Sequence, residues 1–255
     1  MGTEAAAVPI LTYHSIDDSG SVISVAPAAF RAHMQALRDE GFSAITLGRL
    51  LDAWETRATL PARTVVLTFD DAFRNFAESA RPVLASHGFG ATVFAVAARC
   101  GGTNDWPGQM ASVPRLPLLS AADLRDLATA GFEIGSHGLT HAPLDGLSAA
   151  EAEREVVGSK RALEDAIGRT VDVLAYPYGR AGASVRPVAA AHYRAACGVV
   201  LARARSADDR HALPRIDAYY LRRPRVFRML GTPLGGAYLA LRAAGRRVRG
   251  RSPRA

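Results

Sequence analysis

TVVLTFDDAF, residues 64–73, is an apolar run of six residues that ends in two adjacent carboxylates. Thr64, Val65, Val66, Leu67 and Phe69 show no polar alternation, the pattern of a strand buried on both faces of a parallel sheet. Asp70 and Asp71 then fall at its carboxyl end. Two neighbouring carboxylates in such a place repel each other, and keeping both charged is costly unless a cation or a shared proton compensates. Taken alone, the dipeptide is also compatible with a capping pair for the helix that follows.

Similar apolar runs lie on either side, at Ile10 to Tyr13, Thr92 to Ala97, Phe132 to Gly135, Val171 to Tyr176 and Ala195 to Leu201. Between them the chain reads as helix. Ser120 with Asp123 opens AADLRDLATA, and Ser148 with Glu151 forms a capping box ahead of a segment that places Ala152, Val156, Leu163 and Ile167 on one stripe and closes at Gly168. A Gly-Phe pair recurs at 41–42, 88–89 and 131–132, each time between a helical segment and an apolar run. Glycine just past a helix takes the left-handed conformation cheaply, so each pair predicts an αβ junction. Strands alternating with helices predict an α/β fold, closed into a barrel or doubly wound, with functional residues at the carboxyl ends of strands.

GSHGLTH, 135–141, is a second such end. His137 and His141 are four residues apart, a spacing that on a helical turn brings both imidazoles within reach of one metal ion. A lone pair of this spacing is often incidental; here it shares with Asp70 and Asp71 a position after a buried strand.

TFDDAF at 68–73, ATVF at 91–94, SHGLTH at 136–141 and AYPYG at 175–179 together resemble the polysaccharide deacetylase family in order and spacing, over residues 9–217. These are metal-dependent carbohydrate esterases that N-deacetylate chitin oligomers, peptidoglycan and related amino-sugar polymers. The resemblance implies an irregular (β/α) barrel in which Asp70 is the general base and Asp71, His137 and His141 hold a divalent metal, zinc by preference. One carboxylate and two neutral imidazoles leave positions open for water and a substrate carbonyl, as a catalytic site requires. Pro177, Tyr178 and Gly179 match the family's groove-lining segment, in which the tyrosine N–H helps to hold the oxyanion.

The family's general acid is a histidine in a Leu-x-His motif near the chain's end, and that motif is missing; His211, in RHALPRID, has the wrong neighbours. LTYHSI, 11–16, instead resembles the start of a branch that includes biofilm poly-N-acetylglucosamine deacetylases, in which this histidine stands at the N-terminus. That resemblance implies His14 as the acid. Three positions depart from the family pattern: Ala72 replaces a common glycine, Gly138 a serine or threonine, and Ala175 the arginine that orients the base. Arg215, in LPRID, is the candidate to take over the last role. His33, His87 and His192 have no partner pattern and read as background.

The chain has 255 residues and a net charge of +7, enough length for one sizeable α/β domain. Ten arginines and no acid follow Asp217, so residues 218–255 carry +10 and the remainder −3. The expected organisation is a catalytic domain over 1–217 and a basic, partly helical tail over 218–255. The tail's charge suits a solvated surface or an anionic membrane; no aromatic interleaving suggests nucleic acid. Cys100 and Cys197 match neither a disulfide framework nor a metal motif. The opening MGTEAAAVPILTYH lacks the basic stretch of a secretory signal, and a cytoplasmic location is expected. Hydrolysis of an N-acetyl group on an N-acetylhexosamine sugar or glycan precursor is the leading function; opening of a cyclic imide or ureide at the same metal, and sugar binding without turnover, are the alternatives.

Overall fold

The structure, a computed structural model, describes residues 7–248. Eight strands form one sheet: β1 Ile10–Tyr13, β2 Ser43–Ile45, β3 Thr64–Phe69, β4 Thr92–Ala95, β5 Glu133–Ser136, β6 Val173–Ala175, β7 Ala195–Cys197 and β8 Ile216–Asp217. Every pairing is parallel, in the order β7-β6-β5-β4-β3-β1-β8. β3 shares one edge between two partners, β2 along Thr64–Val66 and β4 along Thr68–Phe69. The sheet curls into an irregular barrel, and residues 213–217 seal its seam. Leu213 bridges Cys197 beside β7, Arg215 donates its N–H to Val200, and Ile216 then pairs with Leu11 of β1.

The helices are α1 Pro27–Asp39, α2 Leu47–Thr56, α3 Arg81–His87, α4 Ala121–Thr129, α5 Ala149–Ile167, α6 Val185–His192, α7 Pro224–Phe227 and α8 Pro233–Val248. Both expected capping boxes are present, Ser120 with Asp123 and Ser148 with Glu151. At the three Gly-Phe junctions the glycine has positive φ, and the phenylalanine N–H bonds back to Leu37, Leu84 or Leu127 in the preceding helix. That return bond satisfies an orphan carbonyl of the last turn and aims the chain into the next strand. The paired strands are shorter than several apolar runs, β6 covering three residues of Val171 to Tyr176. An apolar run reports burial, and burial continues past the last ladder bond.

Between the sheet and α1, α3 and α4 runs a chain of aromatic contacts: Phe30 edge-on to Tyr13, Tyr13 stacked on Phe69, and Phe69 on Phe76 and Phe76 on Phe132 edge-on, with centroids 4.7–5.4 Å apart. Residues after 217 join this core. Ala218, Leu221, Phe227, Leu230 and Leu239 are buried in the same cluster as β1 and β3. His33 of α1 stacks flat on Phe227 at 4.0 Å, with Tyr13 Oη 3.1 Å from its Nδ1.

Burial pushes His33 down to about 4, against the opposing pull of the Arg222 and Leu221 carbonyls. An unfolded histidine titrates near pH 6.5, so the fold holds the ring neutral and loses stability as pH falls through the window from about 6.5 to about 4, by roughly 3 kcal/mol in all. Urea midpoints of wild type and His33→Leu should therefore diverge between pH 7 and pH 4.5, with wild type falling more. Parallel decline of the two would remove the assignment.

Candidate metal and catalytic site

Five strand ends meet at one mouth of the barrel. β1 delivers His14, β3 delivers Asp70 and Asp71, β5 leads to His137, β6 to Tyr176, Tyr178 and Gly179, and the seam segment brings Arg215 and Asp217. They line a cavity of about 50 Å³ whose remaining wall includes Thr12, Ile23, Trp106 and Val199. Parallel strands leave their carboxyl ends to loops, which can present side chains without breaking the ladder.

Asp71, His137 and His141 are buried and offer ligand atoms that all lie within 4.8 Å of one another. Asp71 Oδ1 stands 3.2 Å from His141 Nε2 and 3.5 Å from His137 Nε2, and it has no hydrogen-bond partner. A buried carboxylate oxygen left without a donor is costly unless a cation completes it. The other ring nitrogens are anchored: His137 Nδ1 lies 2.7 Å from the Ala175 carbonyl and His141 Nδ1 lies 3.1 Å from Tyr178 Oη. A carbonyl can only accept, so His137 Nδ1 carries the proton and its Nε2 lone pair faces Asp71. Burial pushes His137 down to about 4, which keeps that lone pair free at neutral pH. Burial would raise Asp71, but His141 and His137 outweigh it and hold the carboxyl below its ordinary value. One carboxylate and two neutral imidazoles fit a divalent metal with positions left open.

Residues 57–196 match the family model described as polysaccharide deacetylase. The chain belongs to that family. The Bacillus subtilis protein YxkH, a polysaccharide deacetylase by name, is 30% identical over 176 residues, which are 69% of this chain and 58% of that one. The poly-beta-1,6-N-acetyl-D-glucosamine N-deacetylase of Escherichia coli is 29% identical over 77 residues, 29% of this chain and 12% of that one. The chain thus spans little more than half the length of one curated relative and a small part of the other. Among solved structures, the Streptococcus pyogenes deacetylase PplD in complex with acetate superposes with a TM-score of 0.73 at 24% identity, over 84% of this chain and 92% of that one.

In this member of the polysaccharide deacetylase family, the Asp70 carboxylate lies 4.0 Å from His137 Nε2. Arg215 grips it from behind with two bonds, Nη1 to Oδ1 at 2.7 Å and Nη2 to Oδ2 at 2.8 Å, while its Nε donates to the Gly198 carbonyl at 3.0 Å. Arg215, which comes from the seam, thus reaches the Asp70 carboxylate directly. Burial alone would raise Asp70; Arg215, then His137 and His14, overcome it and hold the carboxyl far below the usual carboxylate range. His14 Nε2 lies 3.9 Å from Asp70 Oδ2 on the open side of the cavity. Asp217, which the sequence reading left aside, shares the cavity. Burial raises it, opposed by His14 and Arg215.

Two expectations need correction. His137 and His141 are not on a helical turn: residues 137–141 form a loop with φ +79° at Gly138 and +66° at His141. Buried Glu155 of α5 shapes it, accepting from Leu139 N and Thr140 N at 3.0 Å and from Thr140 Oγ1 at 2.7 Å. Three bonds to one carboxylate do what a helical turn would have done. Pro177 does not line the cavity with Tyr178 and Gly179; it is buried behind them, beside Gly138. Trp106 is the largest residue the sequence reading passed over. It is buried with its ring 4.1 Å from that of His141, in a loop fixed by buried Asn104, which accepts from Leu116 N at 2.7 Å and donates to the Pro114 carbonyl at 3.0 Å.

Backbone strain concentrates here. Of the five non-glycine residues with positive φ among those described, Asp71, Ala72, His141 and Tyr178 stand at this site. A glycine at position 72 would adopt that conformation freely, whereas alanine is held in it at a cost on the order of 1 kcal/mol. Gly179 follows Tyr178 at φ +66°, and a Cβ there would overlap the Val199 side chain. Gly179→Ala is expected to lose about 1–3 kcal/mol of stability in urea unfolding, through overpacking and the left-handed backbone. Val199→Ala added to it should recover part of that loss; no recovery would mean that the clash is not the cause.

Proposed function

We propose that this protein hydrolyses the N-acetyl group of an N-acetylhexosamine unit in a sugar or glycan precursor, with a divalent metal held by Asp71, His137 and His141. The observation that carries this reading is the carboxylate of Asp70, held by Arg215, beside a buried set of metal ligands, with His14 3.9 Å away. The named activity of the Escherichia coli relative and the acetate bound to the Streptococcus pyogenes deacetylase support the substrate class. Zinc suits two neutral imidazoles and one carboxylate. When bound, such an ion supplies Lewis-acid activation of water and of the amide carbonyl.

The chain's own groups do the rest. Asp70, ionised by its pairing with Arg215, accepts the proton of the attacking water. On this reading the Tyr178 N–H, on the turn after β6, donates to the oxyanion. His14 protonates the nitrogen as the C–N bond breaks, a step an amide needs because the amine must leave neutral and not as its anion. Trp106 and Ile23 close the apolar side of the cavity, where about 50 Å³ of space suits a small acyl group.

Acetate release from N-acetylglucosamine oligomers tests the reading. Purified protein should release acetate, lose that activity on chelation and regain it with Zn²⁺, with metal analysis giving about one ion per chain. Opening of a cyclic imide or ureide in place of acetate release would reassign the substrate. Binding of the oligomers with neither reaction, in metal-loaded protein, would make it a sugar-binding homologue.

A further inference from the structure

We propose that α8 and the arginine-rich segment before it dock this protein on an anionic membrane surface, with the outward stripe Leu234, Ala237, Leu241 and Ala244 entering the boundary between headgroups and acyl chains. α8 is apolar on two opposite sides. Gly235 and Leu239 are buried and Ala243 packs on the core. Each residue turns the helix by 100°, so the stripe from Leu234 to Ala244 lies on the side away from the protein. Leu234 and Leu241 are 70% and 75% exposed, the most of any large hydrophobic residue among those described, and Ala237 and Ala244 are exposed between them. Single exposed leucines are ordinary, but two of them two turns apart on an uncharged stripe mark a docking face.

Charge selects the occupant. Residues 218–248 contain seven arginines and no acid. Arg223, Arg225, Arg228 and Arg242 are exposed, and none forms an ion pair among the described residues. A second copy of this chain would set arginine against arginine. Nucleic acid would satisfy the arginines and leave the leucines in water. An anionic lipid surface takes both. Gly231, just before α8, lies against Phe42 and Arg63 at the amino ends of β2 and β3, whereas Tyr238 Oη donates at 3.0 Å to the carbonyl of Tyr220, just past β8. α8 therefore runs along the barrel's flank toward its catalytic end, and docking through the stripe lays the barrel on its side.

The test is co-sedimentation of the full chain with vesicles of phosphatidylcholine alone or mixed with phosphatidylglycerol, alongside binding to duplex DNA. Binding is expected on the mixed vesicles only. Arg223→Glu/Arg225→Glu/Arg228→Glu should weaken it by at least about fivefold per arginine, and Leu234→Glu/Leu241→Glu by about tenfold or more. Both variants change exposed residues and should melt as wild type does. Vesicle binding insensitive to the leucine change, tighter binding to DNA, a dimer that the leucine change abolishes, or no vesicle binding at low salt would each overturn the proposal. The assay reads no turnover, so its outcome is independent of acetate release.

Discussion

Asp70→Asn is expected to lower turnover of N-acetylglucosamine oligomers by about 10²–10⁴-fold while leaving bound metal unchanged, because it removes proton acceptance and little else. The amide is nearly isosteric with the carboxylate, and Asp70 is not among the three grouped ligands. Arg215 would keep one acceptor and face an NH₂ in place of the other, so some stability should go with the activity. Steady-state acetate release, metal analysis and a urea melt on the same preparation separate these effects. Loss of metal along with turnover would place Asp70 among the ligands, and turnover within tenfold of wild type would remove it as the base.

Arg215→Met should have the largest effect on the fold. Asp70 and Arg215 are both buried, 2% and 3% exposed, and they neutralise each other through two bonds. Removing one partner leaves a buried charge with nothing opposite it, a change that costs about 3–5 kcal/mol. Asp70→Asn/Arg215→Met removes both charges and should regain much of that stability in urea unfolding, without regaining turnover. Arg215→Lys should fall between, since an ammonium is a point charge and cannot span both carboxylate oxygens. A double variant no more stable than Arg215→Met would show that the arginine acts through packing on Phe94 and the Gly198 carbonyl instead.

The strands that carry the site were legible because burial on both faces leaves a continuous apolar run, and Ile10–Tyr13 and Thr64–Phe69 have the extents read from sequence. The αβ junctions were legible because a left-handed residue is a local demand that glycine answers. β8 was not, since two residues make no pattern, and its place beside β1 depends on a seam that only the closed sheet defines. The loop between His137 and His141 was misread as helical because spacing says nothing about φ. Glu155 was a signal in plain sight: a carboxylate beside Val156 and Ser159 on the buried stripe of α5, which needs buried donors to exist. The residues after 217 look like a solvated tail because arginine dominates their composition; that a few of them, Phe227 above all, are core appears only when α1 offers His33 as a surface to stack on.

The seam has a consequence for how the molecule is completed. Asp70 enters the barrel early, but the cation that makes its burial tolerable arrives on residue 215, after the family match has ended at 196. Without that segment the sheet is open beside β1 and the carboxylate lacks its paired arginine, so burying a charged Asp70 is costly. The same event that shuts the cylinder also supplies the cation paired with Asp70, and a chain cut short at the family boundary would forfeit both.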